Sequence, residues 1–263
     1  MGRFDGKSAF VTGGGTGIGL DCARAIVEGG GTVTICGRRQ DVLERAAGAL
    51  GERAGWVACD VSDDDSVVAA VETAVERHGS LSLAVNAAGV GTGGSVLRLT
   101  PAEFAQTIDI NLLGVFRATQ AEAKAMKASG GGSIVNVSSI AGVLTHRWMS
   151  AYCASKAAVN MLTRCAADEL GEHAIRVNAV MPGVVDTELA SLLVQSEEAR
   201  AEYLRLMPIS RIGRTDDVSS IVAFLLSDEA SWMTGQCIAV DGGHTVRRGP
   251  DLVPVFRQFM PEE

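Results

Sequence analysis

Short runs rich in β-branched residues alternate with longer amphipathic stretches from residue 8 to residue 240, and this alternation leaves few architectures open. A strand, a helix and a second strand in succession make a parallel pair with a crossover. The chain is therefore expected to build a doubly wound α/β domain, a mainly parallel sheet with helices on both faces. The spacing predicts strands at 8–12, 32–36, 56–59, 83–86, 133–138, 176–180 and 237–240, and helices starting near Gly17, Gln40, Asp63, Pro101, Ala151 and Thr215. Thr100-Pro101-Ala102-Glu103 reads as a cap, a first-turn proline and a capping-box acid. Ser62 ahead of Asp63-Asp64-Asp65 reads as a second cap followed by carboxylates that complement the helix dipole, a plainer account than a metal site. Residues 186–213 break the alternation. They are helical in character, lie between two strands, and are expected at the carboxyl edge of the sheet, where ligands bind in such folds. The predicted organisation is one domain over 1–245, with 186–213 as a lid insertion, and an extension at 246–263.

Composition narrows the function classes. A chain of 263 residues that is 47% hydrophobic can bury a single large core. No apolar run approaches the roughly 20 residues that span a bilayer, and the first ten residues carry no signal-peptide core, so a cytoplasmic protein without a membrane partner is expected. A net charge of −8 argues against a nucleic-acid partner, which calls for a concentrated Lys/Arg surface. The six cysteines form no C-x-x-C pair and the four histidines do not cluster with them. Buried reduced thiols are expected, with no metal.

The first strand runs directly into Thr12-Gly13-Gly14-Gly15-Thr16-Gly17-Ile18-Gly19 and then a helix. Glycines there let backbone N–H groups approach a pyrophosphate at a helix N-terminus, although the spacing is G-x-x-x-G-x-G and the same residues would also suit a plain tight connection. About 20 residues further on, where enzymes using NAD place a carboxylate for the ribose 2′-OH, the chain has Cys36-Gly37-Arg38-Arg39. Two guanidiniums suit a 2′-phosphate and hence NADP(H), with NAD(H) the weaker alternative; they would also suit a solvated helix start.

Thr12-Gly13-x-x-x-Gly17-x-Gly19, Asn86-Ala87-Ala88-Gly89, Ser139, Tyr152-x-x-x-Lys156 and Pro182-Gly183, in that order, resemble the motif series of the classical short-chain dehydrogenases/reductases. The resemblance covers residues 5 to about 244 and implies a Rossmann-type domain with a seven-stranded sheet, assembled as a homotetramer. It implies a nicotinamide cofactor held by Gly13, Gly15, Thr16, Gly17, Ile18 and Gly19, by Asp60 and Val61 at the adenine, and by Asn86, Ala87, Ala88 and Gly89 beside its ribose. Asp60 could instead cap the following helix. By the same resemblance Pro182, Gly183, Val185 and Thr187 hold the carboxamide, and the family transfers the pro-S hydride.

Carbonyl reduction needs a proton donor for the developing alkoxide and hydrogen bonds that hold the carbonyl oxygen. Tyr152 and Lys156 are four apart in a helical stretch and share a face. A nearby ammonium and the charge of an oxidised nicotinamide would lower the phenol from its usual value near 10. By resemblance Tyr152 is the acid and base, Lys156 tunes it and binds the nicotinamide ribose, Ser139 polarises the substrate, and Asn111 kinks a long helix and holds a relay water. Ser138, pointing to the opposite face of its strand, is the weaker choice. Asn111 could equally be an ordinary backbone-bonding asparagine, and His146 and Trp148 either contact substrate or are plain loop residues.

A small-molecule ketone or secondary alcohol is the expected substrate, with 3-oxoacyl thioesters, steroid-like ketones and smaller cyclic ketones all open. Leu189, Leu192, Leu193, Leu204 and Met207 suggest an apolar lid, though any packed helix has such spacing. An enoyl-type reductase is the nearby alternative, and a cofactor-binding scaffold without turnover the distant one. The extension carries Leu252, Val253, Val255, Phe256, Phe259 and Met260, and is expected to dock on a neighbouring subunit, with folding back on its own subunit or partial disorder as the alternative.

Overall fold

The computed structural model describes residues 2–247. The packing expected of the extension, 246–263, rests on apolar residues from 252 to 260, which lie outside the described residues. Seven strands, β1 (Ser8–Thr12), β2 (Thr32–Gly37), β3 (Ala54–Ala58), β4 (Leu83–Asn86), β5 (Gly132–Val137), β6 (Ile175–Pro182) and β7 (Cys237–Val240), form one parallel sheet in the order β3-β2-β1-β4-β5-β6-β7. The helices are α1 (Gly17–Glu28), α2 (Gln40–Leu50), α3 (Asp64–His78), α4 (Pro101–Ile108), α5 (Gly114–Ala128), α6 (Ser150–Leu170), α7 (Ser191–Gln195), α8 (Glu197–Leu206) and α9 (Thr215–Leu226). Among the described residues no helix is long and apolar enough to cross a membrane.

Strand residues alternate between two cores. Val11, Ile35, Val85 and Val135 pack towards α1, α2 and α9, while Phe10, Ala84 and Ile134 pack towards α3, α5 and α6. Strand order reverses between β1 and β4, and the cleft outside the carboxyl ends of those two strands is where ligands bind in such sheets.

Several local expectations are corrected. Asp63, not Ser62, caps α3, its Oδ1 accepting from Ser66 N at 3.0 Å; the Ser62 hydroxyl is already committed to Asp60. Strand β3 starts two residues early, at Ala54-Gly55, a pair without β-branched residues. The Arg77 guanidinium packs over Gly55, its Nη1 lying 1.3 Å from where a Cβ would be. The 186–213 insertion holds two helices, broken at Ser196, whose hydroxyl caps α8 by accepting from Ala199 N at 3.2 Å. Of the cysteines, Cys22, Cys36 and Cys59 are buried, but Cys165 is exposed and Cys153 and Cys237 are half-buried.

Candidate active site

Of the residues singled out from the sequence for cofactor and chemistry, all but Asn86 and Asn111 line one cavity of about 630 Å³ along the carboxyl edge of the sheet. The turn after β1 forms its floor. Gly13 has φ +65°, and a Cβ on it would sit 2.8 Å from Ala88 N, so only glycine lets the β1 turn lie this close to the β4 turn. Helix α1 begins at Gly17 with no side-chain cap and no acid in its first turn, unlike α3, α4 and α8. Its N–H groups are left for an anion arriving from the cleft.

The adenosine end is set by β2 and the loop after β3. Asp60 Oδ1 accepts from Ser62 N at 3.0 Å and Ser62 Oγ at 2.7 Å, which holds its carboxyl below the usual range. The two arginines separate. Arg38 lines the cleft, whereas Arg39 makes a bidentate pair with Glu188, Nη1 to Oε1 at 2.9 Å and Nη2 to Oε2 at 2.7 Å. Of these two arginines, Arg38 is the one without a carboxylate in ion-pair range among the described residues. Glu188 had no signal in the sequence beyond its place next to Thr187.

At the other end, Asn136 and Val137 of β5 lead into Ser138 and Ser139, and α6 presents Tyr152 and Lys156. Lys156 is buried, donates from Nζ to Val137 O at 2.9 Å, and lies 5.7 Å from the Tyr152 ring centre. Burial lowers its ammonium to about 8. Burial raises the Tyr152 phenol, and a hydrogen bond with Ser139 opposes the rise. Ser139 thus faces the phenol, while the Ser138 hydroxyl donates to Lys156 O at 3.1 Å and is spent on the helix backbone.

Asn111 sits in a π-helical turn, Asp109–Leu113, that joins α4 to α5. Its Oδ1 accepts from Val90 N at 2.8 Å, and its Nδ2 donates to Val90 O at 3.0 Å and Ser155 Oγ at 3.2 Å. It ties the loop after Gly89 to α6. Beyond β6, Val184 and Asp186 bond to Gly213, leaving Val185 N–H outside that bridge, and Thr187 Cγ2 comes within 3.3 Å of where a Gly17 Cβ would be.

Leu189, Leu192 and Leu193 line the upper wall, but Met207 is in the core. His146 also lines the cleft; Trp148 does not, being exposed at φ +67°. Tyr203 of α8 faces the cleft, its ring 5.9 Å from that of His244, which is 6.3 Å from His146. The chain has only two tyrosines, Tyr152 and Tyr203, and that scarcity was the available signal for the second.

Comparison with known proteins gives a consistent picture. Residues 13–245 match the family model described as "Enoyl-(Acyl carrier protein) reductase". The chain is 38% identical over 247 residues to a galactitol 2-dehydrogenase (L-tagatose-forming) of Cereibacter sphaeroides, covering 93% of this chain and 97% of that one. It is also 38% identical over 250 residues to an NADP-dependent (R)-specific alcohol dehydrogenase of Lentilactobacillus kefiri, covering 93% and 99%. A short-chain type dehydrogenase/reductase from Mycobacterium ulcerans superposes with a TM-score of 0.90 at 37% identity, covering 97% and 96%. Motif order, sheet order and these matches agree, and the chain belongs to the short-chain dehydrogenase/reductase family of oxidoreductases.

Proposed function

We propose that the chain reduces ketones with NADPH, or oxidises the matching secondary alcohols with NADP+, on apolar substrates received under residues 186–213. The observation that carries this reading is one cavity with Ser139, Tyr152 and Lys156 at one end and the unpaired Arg38 at the other. The residues fit a dinucleotide: an uncapped helix N-terminus for the pyrophosphate, Asp60 and Val61 for adenine, Arg38 for a 2′-phosphate, and Val185 and Thr187 for the carboxamide. A nicotinamide bound there supplies or accepts the hydride.

The chain's own groups handle the oxygen. Ser139 Oγ holds the substrate oxygen beside Tyr152, whose Oη gives up its proton as the alkoxide forms. The buried Lys156 ammonium stabilises the resulting phenolate, which regains its proton from solvent to complete the cycle. Proton transfer at an oxygen is what carbonyl reduction requires, so this trio favours ketones over the enoyl-type alternative. The relatives named above act on alcohols and bear on substrate class in the same sense.

The assay is NADPH oxidation against a panel of cyclic, steroid-like and 3-oxoacyl ketones. Turnover of at least one ketone is expected, and turnover of enoyl substrates alone would overturn the reading. Gly37→Asp with Arg38→Leu is expected to shift preference from NADPH to NADH, since a Gly37 Cβ would meet nothing closer than 3.8 Å and a carboxylate there repels the 2′-phosphate. A wild type that already prefers NADH would refute the NADP assignment.

A homotetramer in the cytoplasm is the setting we propose. Leu113 and Phe116 beside and on α5, and Met161 on α6, are exposed apolar side chains suited to a subunit contact. Residues 1–245 would be the catalytic domain and 246–263 a strap on a neighbouring subunit; light scattering of the full chain and of a chain ending at Thr245 tests both.

A further inference from the structure

Glu122 of α5 is wholly buried beneath the sheet, away from the cleft, and takes no part in the chemistry above. Asn86, the last residue of β4, donates from Nδ2 to Glu122 Oε2 at 3.0 Å and to Asn136 Oδ1 at 3.1 Å, and Asn136 Nδ2 donates to Thr163 Oγ1 of α6 at 3.0 Å. Two buried oxygens of this row have no hydrogen-bond partner among the described residues: Asn86 Oδ1 and Glu122 Oε1. They belong to the same two groups that already share one hydrogen bond. A carboxylic acid and a primary amide pair through two antiparallel bonds, amide N–H to acid carbonyl and acid O–H to amide oxygen. The first bond is in place here, and the two orphaned oxygens are the ones the second would join.

We propose that Glu122 is a neutral carboxylic acid whose Oε1–H donates to Asn86 Oδ1, and that through Asn86 it is a positioning residue for the cofactor floor. One proton satisfies both orphaned atoms, whereas an ionised carboxylate would leave two acceptors buried without donors. Burial pushes the carboxyl up to about 8, the Asn86 hydrogen bond works against the rise, and the nearby Cys59 thiol adds to it. The ionisable groups acting on this pair are the Cys59 and Cys36 thiols. Asn136, Thr119 and Thr163 do not titrate, and α3 turns Val67, Ala70, Val71 and Ala74 to this core.

The link to the cofactor is short. Asn86 continues into Ala87 and Ala88, whose backbone lies 2.8 to 2.9 Å from where a Gly13 Cβ would be, and Ala88 N donates to Thr12 Oγ1 at 3.3 Å. A shift of Asn86 is passed to the glycine turn with no slack. Because this carboxyl titrates higher in the folded chain than its ordinary 4.5, the stability it adds is full at acid pH. That stability is lost as pH rises to about 8 and changes no further beyond.

The test compares the full-length wild type with Glu122→Gln, which keeps the two-bond pairing and cannot ionise. Infrared difference spectra are expected to show a protonated-acid carbonyl band in the wild type, absent from the variant, that disappears as pH passes through about 8. Over the same range the wild type's affinity for its preferred nicotinamide dinucleotide is expected to fall about fivefold or more relative to the variant, the size of one buried hydrogen bond lost. Groups common to both proteins, Lys156 included, cancel in that ratio. The Tm of the wild type relative to the variant should fall as pH rises towards about 8 and then stay constant. Absence of the band overturns the protonated acid, and a flat affinity ratio overturns the positioning role. The infrared result does not depend on the substrate or on NADP preference, so failure here is distinct from failure of the proposed function.

Discussion

Tyr152 and Lys156 meet at the candidate active site with their proton affinities displaced by the same cause. Burial favours neutral forms, so it raises the phenol and lowers the ammonium to about 8. The charge that brings the phenol down must come from groups placed against it when the site is loaded. Tyr152→Phe keeps the ring and its packing and removes the proton donor; kcat is expected to fall at least a hundredfold with dinucleotide affinity nearly unchanged. Steady-state kinetics with fluorescence binding checks this, and retention of more than about a tenth of kcat would remove Tyr152 from the role. This pair was legible in the sequence because helix geometry puts residues four apart on one face. Ser139 was preferred over Ser138 on the family resemblance; the strand ends at Val137, and the two hydroxyls are separated by their partners, Ser138 donating to Lys156 O and Ser139 bonding the phenol. The fate of Arg39 was not legible, because its partner lies 149 positions away.

At the scale of elements, the long α4–α5 segment was read as a helix kinked at Asn111, and the structure resolves the kink into a π turn. An inserted residue in a helix turns a side chain out of register, and here it aims Asn111 at Val90. Asn111→Leu would leave Val90 N–H and C=O without their side-chain partner. A loss of about 2–3 kcal/mol is expected, read as a fall in Tm of several degrees. An unchanged Tm would mean that the loop after Gly89 is held by other contacts. The boundaries that sequence patterning missed share one origin. At Asp63 and Ser196 the deciding interaction is a specific hydrogen bond, and at Ala54-Gly55 the strand runs through residues without β-branched side chains; hydrophobic periodicity carries no record of either.

Across the whole molecule, the parallel sheet and its two cores follow from patterns that repeat along the chain, which is why they could be read from it. The cleft follows from strand order, whose reversal between β1 and β4 can only be anticipated by family likeness. The contact between Arg39 and Glu188 is a product of that topology, since it joins the β2 side of the cleft to the segment after β6. On the proposed NADP preference, Glu188 would be an internal rival of the 2′-phosphate: a carboxylate and a phosphate each present two anionic oxygens that a guanidinium can bind side by side. A dinucleotide carrying that phosphate can take Arg39 by exchange of counter-ions, while one lacking it leaves the protein's own pair intact. Glu188→Gln is therefore expected to strengthen NADPH binding severalfold and to leave NADH binding little changed, measured by fluorescence titration at low ionic strength. Equal gains for both dinucleotides would show that Arg39 does not meet the phosphate. On that proposal, the carboxylate that enzymes using NAD carry at the end of β2 would have a counterpart here on the opposite bank, one that would discriminate by competing for an arginine instead of by receiving a ribose.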